Sequence, residues 1–210
     1  MNNISEKKAG TSLIVFVILL VFTMVLHPAG GSIEYLIRIT RVIIIAHAIA
    51  ALSLPFGWIG FWGLTRKIGT GHFGSVFAFA TISFGLVAVM LAAVTNGLVL
   101  PIFLHHYKDA VPETLSAIKP IVRYNSAVNH AFDYMYTGAF CLAMLCWSIA
   151  ILLTKKMTVW IGWLGIALAI GAIAVFSSDT AVNSLQGFRI FVTGMAVWIL
   201  LVGTALCRQK

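Results

Sequence analysis

Residues 76–104 read VFAFATISFGLVAVMLAAVTNGLVLPIFL, a run without one charged side chain. About 20 apolar residues in a helix cross the roughly 30 Å hydrocarbon core of a bilayer. This run is longer, so it either tilts or continues into the aqueous phase. Working outward, comparable runs lie at 11–27, 42–64, 124–154, 159–177 and 188–206. The sequence therefore predicts an all-α integral membrane bundle of six transmembrane helices. The run at 124–154 also exceeds one crossing, and a short helix is expected before it, opened by Pro112 and Glu113 and stopped at Pro120. No soluble domain or linker can be cut out, so residues 1–210 read as a single transmembrane domain.

Composition agrees. Hydrophobic residues make up 60% of the chain and charged residues 10%, against about 25% charged in soluble domains. The net charge of +8 does not mark a nucleic-acid partner. The basic residues stand as pairs between apolar runs and form no patch interleaved with aromatics. Cys141, Cys146 and Cys207 lie within or at the end of apolar runs and read as small buried hydrophobes. Lys7 and Lys8 before the first run resemble the start of a secretory signal. Its length and the further spans beyond Pro28, Ala29, Gly30 and Gly31 favour a retained first helix.

The pairs set an expected orientation. Lys7 with Lys8, Arg66 with Lys67, Lys155 with Lys156, and Arg208 with Lys210 alternate along the chain with Arg38, Arg41, Lys108, Lys119, Arg123 and Arg189. The second set is diluted by Glu34, Asp109, Glu113 and Asp179. The positive-inside rule then places the doublets, and both termini, in the cytoplasm. Trp58, Trp62, Trp160 and Trp163 fall near that face, and Tyr107, Tyr124, Tyr134 and Tyr136 near the other, as interfacial anchors. Ala46 with Ala50, Gly165 with Ala169, and Ala167 with Gly171 have the spacing of close helix contacts. Pro55 and Pro101 are expected to kink their helices, and Asn96 to make an interhelical hydrogen bond. The two halves show no residue-level repeat.

Five of six histidines map to the non-cytoplasmic half: His27, His47, His105, His106 and His130. Ser126, Asn129, His130, Asp133 and Thr137 follow three- and four-residue spacing and share one helix face. Facing lipid, such a stripe is costly, so it should face the bundle interior or a water-filled cavity. Imidazole and carboxylate ligands suit zinc, copper or iron. His47, His105, His106, His130 and Asp133 are therefore the candidate metal ligands, and a facing His47–His130 pair is the candidate haem ligand set. On the competing reading the same residues are headgroup-level polarity around a solvated vestibule.

No zinc-protease, nucleophile-elbow, phosphate-loop or dinucleotide motif occurs. The hairpin from Trp147 and Ser148 through Lys155 and Lys156 to Trp160-Ile161-Gly162-Trp163-Leu164-Gly165 resembles an uncharacterised bacterial multi-pass membrane family. The resemblance covers about a quarter of the chain, implies a bacterial inner membrane, and brings no activity or site residues. Three functions stay open. One is a metal- or haem-dependent membrane enzyme acting on a lipid-like substrate. Another is a small transporter or permeation protein whose stripe lines a vestibule, and the third is a non-catalytic component of a membrane complex. The expected partners are the bilayer and a lipid-like or small-molecule ligand.

Overall fold

The computed structural model describes residues 5–27, 30–177 and 185–208. Pro28, Ala29, Asp179 and Lys210 lie outside these, as does the side chain of Arg189. Among the described residues eight α-helices follow one another: α1 Glu6–Leu26, α2 Ile33–Arg38, α3 Thr40–Ile68, α4 Phe73–Val94, α5 Leu100–His105, α6 Pro112–Thr154, α7 Val159–Ser177 and α8 Leu185–Arg208. A π turn at Thr95–Val99 joins α4 to α5, and no strand occurs among the described residues. Among the described residues five stretches are long and apolar enough to cross a membrane: α1, α3, α4 through α5, α6 and α8. The chain is thus an all-helical, multi-pass membrane protein. The sixth expected span coincides with α7, an apolar helix whose described side chains stop at Ala174.

Each long helix packs on its neighbour in the chain, and α8 closes on α1, so the order α1, α3, α4, α6, α7, α8 forms a ring. Between apolar helices in lipid the driving force is close van der Waals contact, and glycines supply it here. Gly57, Gly60 and Gly63 of α3 lie against Phe16, Leu13 and Ala9 of α1, and Gly10 of α1 lies against Gly203 and Cys207 of α8. This second contact is antiparallel, which puts the start of α1 beside the end of α8. Lys67 at the end of α3 donates to both Glu6 carboxylate oxygens at 3.1 Å, and Lys156 Nζ stands over Gly69. The basic doublets therefore gather at one end of the ring.

Aromatic side chains fill the ring's centre toward that end. Phe61 stacks on Trp147 at 5.1 Å and Trp147 on Trp198 at 6.4 Å, with Phe140 edge-on to Trp198. Both indoles are fully buried and their N–H groups are paired. Trp147 donates to Thr65 Oγ1 at 3.0 Å and Trp198 to the Ile161 carbonyl at 3.1 Å. Thr65 and Ser75 exchange hydroxyl-to-carbonyl bonds across α3 and α4.

Several local expectations are corrected. Pro120 does not stop a helix, because α6 runs unbroken for 43 residues, about 65 Å at the α-helical rise. Pro120 is exposed, and so is Ser116, whose carbonyl loses its partner, so solvent meets the cost. The ladder adjusts to Pro101 by a π turn in which Leu100 N–H bonds the Thr95 carbonyl. Tyr136 is buried with its hydroxyl on Met195 Sδ, so it does not serve as an interfacial anchor, and half-buried Trp58 donates to Ser83 Oγ at 2.9 Å across α3 and α4. Gly165 does make a close contact, with Ser148 and Trp198, whereas Ala167 is exposed and Gly171 faces open space.

At the other end, α2, α5 and the first turns of α6 form a cap around a second apolar cluster of Leu104, Leu115 and Ile118. The ring's centre there is not filled.

Candidate functional site

The unfilled centre is a cavity of about 560 Å³. All five residues of the α6 stripe line it, as the three- and four-residue spacing requires. Ser126 and His130 are exposed at its mouth, Asn129 and Asp133 are half-buried further in, and Thr137 is buried at its depth. Asn129 Nδ2 donates to Asp133 Oδ2 at 3.1 Å, and His130 Nδ1 stands 4.0 Å from the same oxygen. Leu20 and Met24 from α1, Leu54 from α3, and Leu86 and Val89 from α4 supply aliphatic wall, with Thr23, His27, His47 and Asn96 as polar positions among them. Polar groups thus run along the α6 face from mouth to depth, and the other walls are mostly aliphatic.

His47 enters from α3. Its Nδ1 is 2.8 Å from the Ile43 carbonyl. A carbonyl only accepts, so Nδ1 carries a proton and donates to it. The His27 ring lies 5.3 Å away. The π turn makes room for this arrangement, because a Cβ on Gly97 would run into the His47 side chain. The same turn presents Asn96, whose Oδ1 accepts from Asn125 Nδ2 at 2.6 Å. Asn96 is therefore the interhelical hydrogen-bonding residue that its depth suggested, and its partner belongs to α6.

The five candidate metal ligands do not come together. His130 and Asp133 are neighbours on α6, and His47 lines the same cavity beside His27. His105 and His106 are exposed and do not line it. Leu104 is the α5 residue turned into the cap cluster, and the next position along a helix points about 100° away. Among the described residues, no three His, Cys, Asp or Glu side chains are grouped closely enough to hold a metal ion.

No family model matches the chain, and no curated protein or solved structure is similar to it. The likeness of the Trp147–Gly165 hairpin to a bacterial membrane family rests on those residues alone, and the cavity's chemistry must be read from its own atoms.

Thr137 Oγ1 carries the most information among them. It is buried at the cavity's depth with no hydrogen-bond partner among the described residues. Leaving a hydroxyl unpaired in an apolar setting costs about 1 to 3 kcal/mol, so the group calls for a partner inside the cavity. Spacing placed Thr137 on the stripe. The loss of its usual back-bond to the preceding turn has no sequence signal.

Proposed function

We propose that this chain is a six-span membrane protein with both termini in the cytoplasm, and that its central cavity is a vestibule taking up a lipid-like amphiphile from the non-cytoplasmic leaflet. The adjacency of α1's start and α8's end supports an even number of crossings, which the five long stretches reach only if α7 crosses as well. The doublets gathered at that end support its cytoplasmic placement.

The observation that carries the functional reading is one cavity that pairs a continuous polar stripe on α6 with mostly aliphatic walls, with a buried hydroxyl at its depth that has no partner among the described residues. A purely aqueous path has no use for the aliphatic walls, and an apolar ligand has none for Asn129, Asp133 and Thr137. An amphiphile uses both. Its volume lies within the range of about 300 to 1,000 Å³ typical of small-molecule sites. The metalloenzyme reading is less well supported, since His105 and His106 lie outside the cavity that His47, His130 and Asp133 line, and no three His, Cys, Asp or Glu side chains among the described residues are grouped closely enough to hold a metal ion.

The test is to purify the full chain in a neutral detergent, extract it, and identify co-purified amphiphiles by mass spectrometry, alongside Ala93→Trp and Ala50→Phe. Both positions line the cavity, and the larger side chains occupy it. A defined amphiphile near one per chain in the native protein, and its loss from both variants, is expected. Equal recovery from all three defeats the proposal.

A further inference from the structure

A second, shallower cavity of about 400 Å³ adjoins the first, and Gly31 and Val122 line both. Its walls are the α2 entry (Ser32, Glu34) and the outer turns of α6 (Ser116, Lys119, Arg123). Lys119 and Arg123 are one turn apart on α6, and the same face continues through Ser126, His130, Asp133 and Thr137 at alternating spacings of four and three. One helix face thus runs from two cations, through neutral and acidic polar groups, to a buried hydroxyl. From Arg123 to Thr137 it covers about 20 Å, the scale of a headgroup and the upper part of an acyl chain. Glu34 stands on the opposite wall as a single carboxylate against two cations. The Ser32 hydroxyl first, then the Glu34 backbone N–H and least of all Lys119, hold its carboxyl below the ordinary range, so it stays charged and offsets one of them.

Resting on the vestibule reading, we infer that the amphiphile is an anionic lipid whose phosphate or carboxylate sits in this outer cavity against Lys119 and Arg123, with its chain in the inner one. Basic pockets at the membrane surface select anionic headgroups. A guanidinium presents paired N–H donors to two oxygens of a phosphate or carboxylate, while an ammonium adds a point charge. The shared border at Gly31 and Val122 gives headgroup and chain a continuous path. Gly31 has a φ of 154° and lies against the Tyr35 ring, which keeps that border free of a side chain.

Native mass spectrometry of the full chain in dodecyl maltoside tests this with two lipids of identical acyl chains, phosphatidylglycerol and phosphatidylcholine. Glycerol 1-phosphate serves as a headgroup-only probe. The first bound lipid should favour phosphatidylglycerol by about tenfold. K119Q/R123Q should reduce that preference to within about twofold. Lys108→Gln, a cation at the same end that lines neither cavity, should leave the preference intact, and glycerol 1-phosphate alone should not be retained. Equal binding of the two lipids, or a preference that survives K119Q/R123Q, overturns the headgroup assignment. Retention of glycerol 1-phosphate by itself shows a free-anion site and overturns the lipid. If Ala93→Trp changes the binding of neither lipid, the inner cavity is not where the chain goes and the vestibule reading fails instead.

Discussion

Gly97 lies directly beneath His47, so close that the Cβ of any other residue there would overlap the Cβ of the histidine. The contact joins the π turn to α3 at the mouth of the cavity and ties the placement of Asn96 to that of His47. Ordinarily Gly→Ala within a helix gains about 1 kcal/mol. Here the colliding atom is fixed to the backbone and cannot swing aside, so strain prevails. Gly97→Ala should destabilise by about 1 to 3 kcal/mol, read as a lower thermal midpoint in detergent. A raised or unchanged midpoint contradicts the contact.

The Trp147 indole is fully buried and its N–H has Thr65 Oγ1 as partner. Thr65→Val keeps the shape and removes the acceptor, leaving a buried donor unmet at a cost of about 1 to 3 kcal/mol. Thr65→Ser keeps the hydroxyl and should recover most of that loss. Thermal unfolding of the two variants side by side distinguishes them, and equal midpoints would mean the hydrogen bond contributes nothing measurable.

The sequence made the helices legible because a bilayer imposes one demand, a long apolar run, that no other residue pattern meets. Each of the six runs coincides with a helix. The α6 stripe was legible for the same reason, since Asp133 and Thr137 facing lipid would have been costly. The convergence of histidines was not. Their depth along each helix follows from sequence position, but the azimuth depends on which face the neighbouring helix covers, and Leu104 turns α5 so that His105 and His106 look outward. Pro120 misled because the ladder bond it removes leaves the Ser116 carbonyl in solvent, where the cost is low enough for the helix to continue. Close-packing glycines were legible as a class and not as individuals. The triplet Gly57, Gly60 and Gly63 makes the tightest seam, whereas Gly171, at equally suggestive spacing, faces open space.

That last contrast is directly testable. A Cβ on Gly165 would meet Ser148 Oγ and Trp198 Nε1, whereas one on Gly171 would meet nothing. Gly165→Ala should lower the thermal midpoint by disturbing a buried indole. Gly171→Ala should be neutral or slightly stabilising, by up to about 1 kcal/mol from helix propensity. Similar behaviour of the two would show that α7 is not seated as described.

Orientation is checked by single cysteines at Lys8, Lys67, Lys156, Lys108 and Lys119, in a chain with Cys141, Cys146 and Cys207 replaced. An impermeant thiol reagent applied from outside should reach positions 108 and 119, and should reach 8, 67 and 156 only after the membrane is opened. Labelling of 67 and 119 from the same side is incompatible with the proposed arrangement.

The seam that closes the ring joins residues far apart in the chain, with Thr11 Oγ1 and Cys207 Sγ 3.9 Å apart across a separation of 196 residues. During synthesis α1 enters the membrane long before its partner α8 exists. Its Gly10 face must wait among lipids, or against a chaperoning helix, until nearly all of the chain has emerged. The ring around the cavity, whose far wall includes Val192 of α8, therefore closes only when the last helix has been made.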